Sequence, residues 1–223
     1  MTAIKNLIAG ALAVCSITMV SAADKYQYNE FYYQRSSLFE VLPISCNDIV
    51  FVGNSLTNGC EWHELFNNPN VKNRGISSDV IQGVADRIDN VIEGKPQKIF
   101  LMSGANDISH NISADSIACA FEKLIVRIIN GSPSTEIYLQ GMLPINNDFG
   151  RYKALKGTEQ VFIDTNKQLE KIAKKHHVTW INLFPLFADK DGKMKREYSN
   201  DGLHLLGAGY LVWRDAIINY VNE

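Results

Sequence analysis

The chain has 223 residues, of which 46% are hydrophobic and 21% are charged, and its formal net charge is −2. That length is typical of one globular domain, and the apolar content is sufficient for a core, which excludes a mainly disordered chain. The near-neutral charge, with no stripe of lysine and arginine, argues against nucleic acid as a partner.

The first residues are typical of a secretory signal peptide. Lys5 precedes an apolar run over residues 7–20, and the small residues 21–23 follow it. This pattern predicts a cleaved signal over residues 1–22, so that the mature chain is exported to the periplasm or the exterior and keeps no integral membrane segment. A lipoprotein anchor on Cys15 is the alternative, although a valine precedes this cysteine where a small residue is expected.

An aromatic-rich extension, residues 23–47, precedes the first predicted strand. Its side chains suit either a helix that packs against the following domain or a platform on which sugar rings stack. Helical packing is the preferred interpretation. The aromatic residues are Tyr26, Tyr28, Phe31, Tyr32, Tyr33 and Phe39.

Strand-like and helix-like segments alternate over the remainder, residues 48–223. Short apolar, β-branched runs bounded by turn residues predict strands over 48–53, 70–73, 98–103, 136–140 and 178–182. Amphipathic spacing predicts helices over 78–93, 113–130, 158–177 and 205–221. The alternation predicts one α/β domain whose parallel sheet is covered by helices on both faces.

Residues that suit a reaction at a nucleophilic serine follow the ends of three predicted strands, which is where parallel sheets place their ligands. Ser55 lies on a strand-to-helix turn, Gly75 follows the second strand, and Asn106 follows the third. Near the carboxyl end, Asp201 and His204 are spaced so that the carboxylate can orient the imidazole. Taken singly, each of these residues is more simply a helix cap or a turn residue.

In this order the four segments resemble the sequence blocks of the SGNH hydrolase superfamily, also called the GDSL esterase/lipase family. The matching residues are Ser55, Gly75, Asn106 and His204, and the match spans about residues 48–215. The resemblance implies a three-layer α/β/α sandwich with a flavodoxin-like, five-stranded parallel sheet. One position departs from the family, because Asn54 stands where the first block usually has Asp.

The same resemblance implies a serine esterase that needs no metal and no organic cofactor. Ser55 would be the nucleophile, His204 the base, and Asp201 the residue that orients the histidine. The backbone N–H groups of Ser55 and Gly75, together with the side-chain amide of Asn106, would form the oxyanion hole.

The expected substrate is a small ester, namely an acetyl group on a carbohydrate. The loop over residues 143–152 is polar and suits sugar hydroxyls better than a long acyl tail, and the chain resembles secreted bacterial acetylesterases of the family. A lysophospholipase or thioesterase, or a non-catalytic glycan-binding module, are the alternatives. The candidate substrate-binding residues are Asn54, Leu56, Trp62, Asp107 and Pro144.

Some residues allow two interpretations. Trp62 could wall the acyl site or pack in the core, and His110 could border the cleft, whereas His63 is expected on a solvated helix face. Signal cleavage would leave three cysteines, which are predicted to be free, buried thiols, and no metal-ligand spacing is present. These cysteines are Cys46, Cys60 and Cys119.

Overall fold

The structure is a computed structural model that describes residues 27–223, so the predicted signal peptide, Cys15 and Tyr26 lie outside the described residues. Five parallel strands form one sheet in the order β2-β1-β3-β4-β5. This is the flavodoxin-like order, and the predicted fold class is confirmed. The strands are β1 (Ile49–Gly53), β2 (Val71–Gly75), β3 (Lys98–Met102), β4 (Glu136–Gln140) and β5 (Thr179–Ile181).

Helices connect the strands and precede the first of them. They are α1 (Glu30–Val41), α2 (Ser55–Asn58), α3 (Trp62–Leu65), α4 (Ile81–Arg87), α5 (Asp89–Ile92), α6 (Ala105–Ser109), α7 (Ala114–Gly131), α8 (Glu159–His176), α9 (Phe184–Phe187) and α10 (Gly207–Asn222). Short 3-10 helices lie at Asn147–Phe149, Lys153–Leu155 and Arg196–Tyr198.

The sheet has an apolar layer on each face, because successive side chains of a strand point to opposite faces. In β1, Val50 and Val52 join a core with α4, α7 and α8. Ile49 and Phe51 join a second core with α3 and α10. All five residues of β1 are buried, which explains why the strand is apolar along its whole length.

The segment predicted as one helix over residues 78–93 differs in the structure. A turn at residues 76–79 precedes α4, and a tightened turn at Ile88, whose N–H bonds the carbonyl of Ala85, separates α4 from α5. The helical spacing of apolar residues therefore continues across a break in the helix. The prediction was wrong at its start, because Ser78 has φ +65° and belongs to the turn.

Helix α1 of the N-terminal extension packs against the residues that follow β2. Tyr32 is buried, and its hydroxyl donates to the Gly83 carbonyl at 2.9 Å. Phe39 is also buried, and the guanidinium of Arg74 lies 4.9 Å from its ring centroid. Arg74 in turn donates to the carbonyl of Leu42 at 3.0 Å. The helix that the aromatic pattern predicted thus buries part of its aromatic set against the sheet domain.

Arg87 links the carboxyl ends of β1 and β2 through hydrogen bonds. Its guanidinium forms an ion pair with Asp79 at 2.9 Å and donates to the carbonyls of Arg74 and Gly53 at 2.8 and 3.1 Å. Phe39 covers this group, with its ring centroid 5.9 Å from the guanidinium carbon. Because the charge is paired and each guanidinium nitrogen makes a hydrogen bond, its burial is tolerated, and it holds the loops that carry the site.

Candidate active site

Ser55 is the first residue of α2, directly after β1. The side chain of Asn54 caps this short helix by accepting from the Leu56 N–H at 3.2 Å, so the Asn that replaces the usual Asp still makes the local turn bond. Gly53 is required just before it, since a Cβ there would clash with the Met102 carbonyl and the Thr57 hydroxyl. The close packing of strand and turn holds the Ser55 hydroxyl at the edge of the sheet.

The structure brings Ser55, His204 and Asp201 into one hydrogen-bonded chain. The Nε2 atom of His204 lies 2.9 Å from the Ser55 hydroxyl, and its Nδ1 atom lies 2.8 Å from Oδ2 of Asp201. A carboxylate can only accept, so Nδ1 carries the hydrogen and Nε2 of the neutral ring accepts from Ser55. This tautomer is the one in which histidine can remove the serine proton.

Asp201 is fixed by its own turn. Its Oδ1 atom accepts from the backbone N–H groups of Leu203 at 2.9 Å and His204 at 2.8 Å. Burial alone would raise the pKa of Asp201, but these bonds, together with those from the His204 and Tyr152 side chains, outweigh burial and hold the pKa far below its usual range. The carboxylate therefore stays ionised beside the histidine.

Tyr152 is a member of this cluster that sequence reasoning missed. Its hydroxyl donates to Oδ2 of Asp201 at 2.8 Å and lies 3.0 Å from Nδ1 of His204. Burial, followed by the hydrogen bond to Asp201, raises the pKa of Tyr152 to about 12, so the hydroxyl stays protonated. In the sequence this residue is only one of several polar residues of a predicted cleft loop. Its partner lies 49 positions further along the chain, so no local signal marks the contact.

Gly75 does not supply an oxyanion donor, and that prediction was wrong. Its N–H donates to Oδ1 of Asn73 at 2.7 Å and is therefore occupied. Gly75 is buried at the end of β2, where a Cβ would clash with the backbone of Asn58. The glycine is needed so that α2 can pack closely on the strand.

The turn after β2 borders the cleft instead. The Asp79 N–H closes this turn onto the Ile76 carbonyl at 3.2 Å, and Ser78 adopts a left-handed conformation that usually favours glycine. Within residues 27–223, the backbone N–H groups of Ser55 and Ser78 make no hydrogen bond. Asn106, on α6, donates one amide hydrogen to the Asp79 carbonyl at 2.8 Å, which holds its side chain beside the turn and leaves a second hydrogen for a ligand.

These groups surround a cleft of about 510 Å³. Ser55, Asn106 and His204 lie on its wall together with the turn residues Ser77 and Ser78. The remaining wall comes mainly from the loop before α8 and combines polar with apolar side chains. It includes Ser109, Arg151, Tyr152, Lys153, Leu155 and Leu203.

The five candidate substrate-binding residues lie outside this cleft, which corrects their predicted role. Asn54, Leu56 and Pro144 line a separate cavity of only about 10 Å³, which is too small for a substrate group. Trp62 is fully buried, stacks on Phe51 and donates its indole N–H to the Thr57 carbonyl at 2.8 Å, so it is a core residue.

Asp107 is likewise structural in its contacts. It is buried, and both carboxylate oxygens accept from the Ile81 N–H, at 3.2 and 3.3 Å, at the start of α4. Burial raises the pKa of Asp107 to about 6, although the Ile81 hydrogen bond counteracts it. This carboxylate anchors α4 and does not face the cleft.

The other residues singled out in the sequence have varied positions. His63 is exposed on α3, as expected, and His110 borders a cavity next to the cleft. All three described cysteines are free, but only Cys60 is buried, so the prediction of buried thiols was wrong for Cys46 and Cys119.

The described part of the chain holds no cluster of three or more His, Cys, Asp or Glu side chains placed to hold a metal ion. Among residues 27–223, none of the helices is both long enough and apolar enough to cross a membrane.

Comparison with known proteins shows that this fold and site belong to a class of hydrolases that act on esters. A sequence model of the GDSL-like Lipase/Acylhydrolase family matches residues 51–212. The chain therefore belongs to that family, and the resemblance drawn from the four sequence blocks is confirmed.

Individual relatives are similar over most of the chain. The rat platelet-activating factor acetylhydrolase IB subunit alpha1 is 26% identical over 175 residues, which cover 73% of this chain and 70% of the rat protein. A GDSL-like lipase from Bacteroides thetaiotaomicron has a TM-score of 0.76 at 21% identity, over 86% of this chain and 98% of that one. An acetyl xylan esterase, AlAXEase, has a TM-score of 0.64 at 17% identity, over 78% of this chain and 99% of that one.

Proposed function

We propose that the protein is a serine esterase that removes acetyl groups from carbohydrates, and that its N-terminal signal directs it to the periplasm or the exterior. The observation that carries the proposal is the hydrogen-bonded chain from Ser55 to His204 at 2.9 Å and from His204 to Asp201 at 2.8 Å. A serine hydroxyl is a weak nucleophile unless such a base is in reach.

The reaction proceeds in two steps. The Ser55 oxygen attacks the ester carbonyl while His204 takes its proton, and the alcohol then leaves with that proton, which gives an acetyl-enzyme and a free sugar hydroxyl. In the second step water attacks the acetyl-enzyme, His204 again takes and returns a proton, and acetate leaves from Ser55. Asp201 stabilises the imidazolium that forms in each step.

Three donors stabilise the negative oxygen of the tetrahedral intermediates. They are the backbone N–H of Ser55, the side-chain amide of Asn106 and the backbone N–H of Ser78, which takes the role expected for Gly75. The free state of both N–H groups and the position of all three residues on one cleft support this assignment. Each such donor typically contributes about 2.7–4 kcal/mol to lowering the barrier.

Tyr152 acts as a positioning residue in this scheme. It donates to the same Asp201 oxygen that accepts from His204. An additional donor restricts the rotation of the carboxylate and keeps Oδ2 directed at the imidazole.

The form of the cleft supports a small acyl group and a polar alcohol. The apolar cavity behind Ser55, of about 10 Å³, has no room for an acyl chain, whereas Arg151, Lys153 and Ser109 offer polar contacts in the open cleft. The name of the rat relative, an acetylhydrolase, supports an acetyl group, and the activity named for AlAXEase, on acetyl xylan, supports a carbohydrate ester.

Hydrolysis of p-nitrophenyl acetate, butyrate and octanoate tests the proposal, together with acetate release from acetylated xylan. We expect the highest kcat/KM for the acetate ester and its loss in Ser55→Ala. Ser37→Ala, an exposed serine on α1, is the matched control and should behave as the native chain. A preference for octanoate would overturn the acetyl specificity, and turnover that persists in Ser55→Ala would overturn the serine mechanism.

A further inference from the structure

A second cavity, of about 360 Å³, adjoins the catalytic cleft. The turn residues Ser77 and Ser78 line both spaces. Helix α6 also connects them, because Asn106 near its start borders the cleft and His110 just after its end borders the second cavity. A ligand that extends from Ser55 past this turn enters the second cavity.

The far wall of this cavity is aromatic and comes from the N-terminal extension. Tyr28 and Tyr32 both line it, and their ring centroids are 4.2 Å apart. Tyr32 is held by its bond to the Gly83 carbonyl, and the Tyr28 hydroxyl donates to Asp86 at 2.6 Å. The Tyr33 hydroxyl accepts from the backbone N–H of Tyr28 at 3.3 Å. The wall is therefore fixed before any ligand arrives, which lowers the entropic cost of binding.

Several polar groups next to the aromatic wall can each accept or donate a further hydrogen bond. The Nδ2 atom of Asn29, the Ser78 hydroxyl and the His110 ring all belong to residues that line the cavity, and none makes a hydrogen bond within residues 27–223. An apolar ligand would leave these groups without partners, whereas a ligand with several hydroxyls could satisfy them. A sugar ring combines an apolar C–H face with such hydroxyls.

We propose that the second cavity is a subsite for the sugar unit next to the acetylated one, so that the protein favours oligosaccharides over acetylated monosaccharides. The proposal rests on the proposed acetylesterase function. The acetylated unit lies in the cleft at Ser55, and the neighbouring unit passes the Ser77–Ser78 turn and packs its C–H face on Tyr28. Asn29, Ser78 and His110 bind its hydroxyls.

The test compares xylobiose that carries a single acetyl group, and so keeps free hydroxyls on its second unit, with singly acetylated xylose and p-nitrophenyl acetate as substrates. We expect Tyr28→Ala to lower the ratio of kcat/KM for the disaccharide to that for p-nitrophenyl acetate by about fivefold to tenfold, the size of one lost stacking contact. Tyr28→Phe keeps the ring and loses only the bond to Asp86, so its ratio should stay closer to the native value. The matched control is Phe31→Ala, because Phe31 is an exposed aromatic residue near the start of α1, three positions after Tyr28, that does not line the cavity.

Each result is decisive. An unchanged ratio in Tyr28→Ala, or an equal fall for disaccharide and monosaccharide relative to p-nitrophenyl acetate, overturns the subsite while leaving the esterase intact. Native protein that shows Ser55-dependent hydrolysis of p-nitrophenyl acetate but releases no acetate from either sugar overturns the carbohydrate function itself. Thermal unfolding of every variant separates these results from a loss of folding.

Discussion

Removal of the Tyr152 hydroxyl is the sharpest test of how His204, the proposed catalytic base, is held. In Tyr152→Phe the ring remains and only the donor to Asp201 is lost. The four short bonds to this carboxylate come from Tyr152, the His204 side chain, and the backbone N–H groups of Leu203 and His204. The variant keeps the two backbone bonds on Oδ1, so Asp201 stays in place, but Oδ2 loses one of its two partners.

The expected loss follows from these contacts. A hydrogen bond to a charged group contributes about 1.5–3 kcal/mol, and water can replace part of it here because the tyrosine is only partly buried. We therefore expect the lower end of the range, which corresponds to a fall in kcat of about tenfold. KM for p-nitrophenyl acetate should change little, because the hydroxyl is directed at Asp201 and acts through the histidine.

Steady-state kinetics on p-nitrophenyl acetate measure this, with Tyr138→Phe as the matched control. Tyr138 also donates to a carboxylate, that of Glu136 at 2.6 Å, but on β4 and away from the cleft. If kcat of Tyr152→Phe stays within about twofold of the native value, or if Tyr138→Phe loses as much, Tyr152 does not position the triad.

Three further outcomes follow from the site. Asn106→Ala should lower kcat by about 100-fold to 1000-fold through loss of one oxyanion donor, as steady-state kinetics would show; a loss under tenfold contradicts the assignment. Ser78→Gly should raise the free energy of unfolding, measured in urea, by up to about 1 kcal/mol, because glycine relieves the strain of the left-handed conformation. The variant keeps the backbone N–H of residue 78, so its kcat should fall far less than that of Asn106→Ala. A variant less stable than the native protein would refute the strain at this position. The pKa of Asp107, raised to about 6 by burial, gives a stability contribution that is fully present below about pH 4 and is lost as the pH rises through 6. As the pH falls from 7.5 to 5, the free energy of unfolding of the native protein should therefore rise by about 1 kcal/mol through this group. Urea unfolding of Asp107→Asn should not show this rise. The same pH dependence in both proteins would exclude a raised pKa of Asp107.

The strands of the sheet could be predicted because the signals for each strand lie within a short stretch of sequence. Buried strands are apolar along their whole length and end at turn residues, so β1, β3 and β4 were located to within a residue at each end. The residues Ser55, Asn106 and His204 could be found for the same reason, since each follows a strand end or precedes the last helix. The parallel sheet then brings them to one edge.

Contacts between distant segments could not be predicted. The Asn73 side chain decides which backbone N–H is free, because it accepts from the Gly75 N–H at 2.7 Å and leaves that of Ser78 unbonded. The spacing of residues in the sequence does not reveal this bond. The helical pattern over residues 78–93 also hid the turn, because apolar periodicity continues through it. Trp62 and Tyr152 show the same limit, since burial against Phe51 and a bond to Asp201 are set by tertiary packing.

Arg87 has a consequence for where the protein can be shortened. The family match begins at residue 51, which suggests that the chain could be trimmed to that boundary. Yet Phe39 shields the guanidinium that bonds the Gly53 carbonyl, two residues before Ser55. Removal of residues before 51 would expose the Arg87 guanidinium to water and weaken its support of the Gly53 backbone next to Ser55. A recombinant version meant to retain activity should therefore keep α1 and begin no later than residue 27.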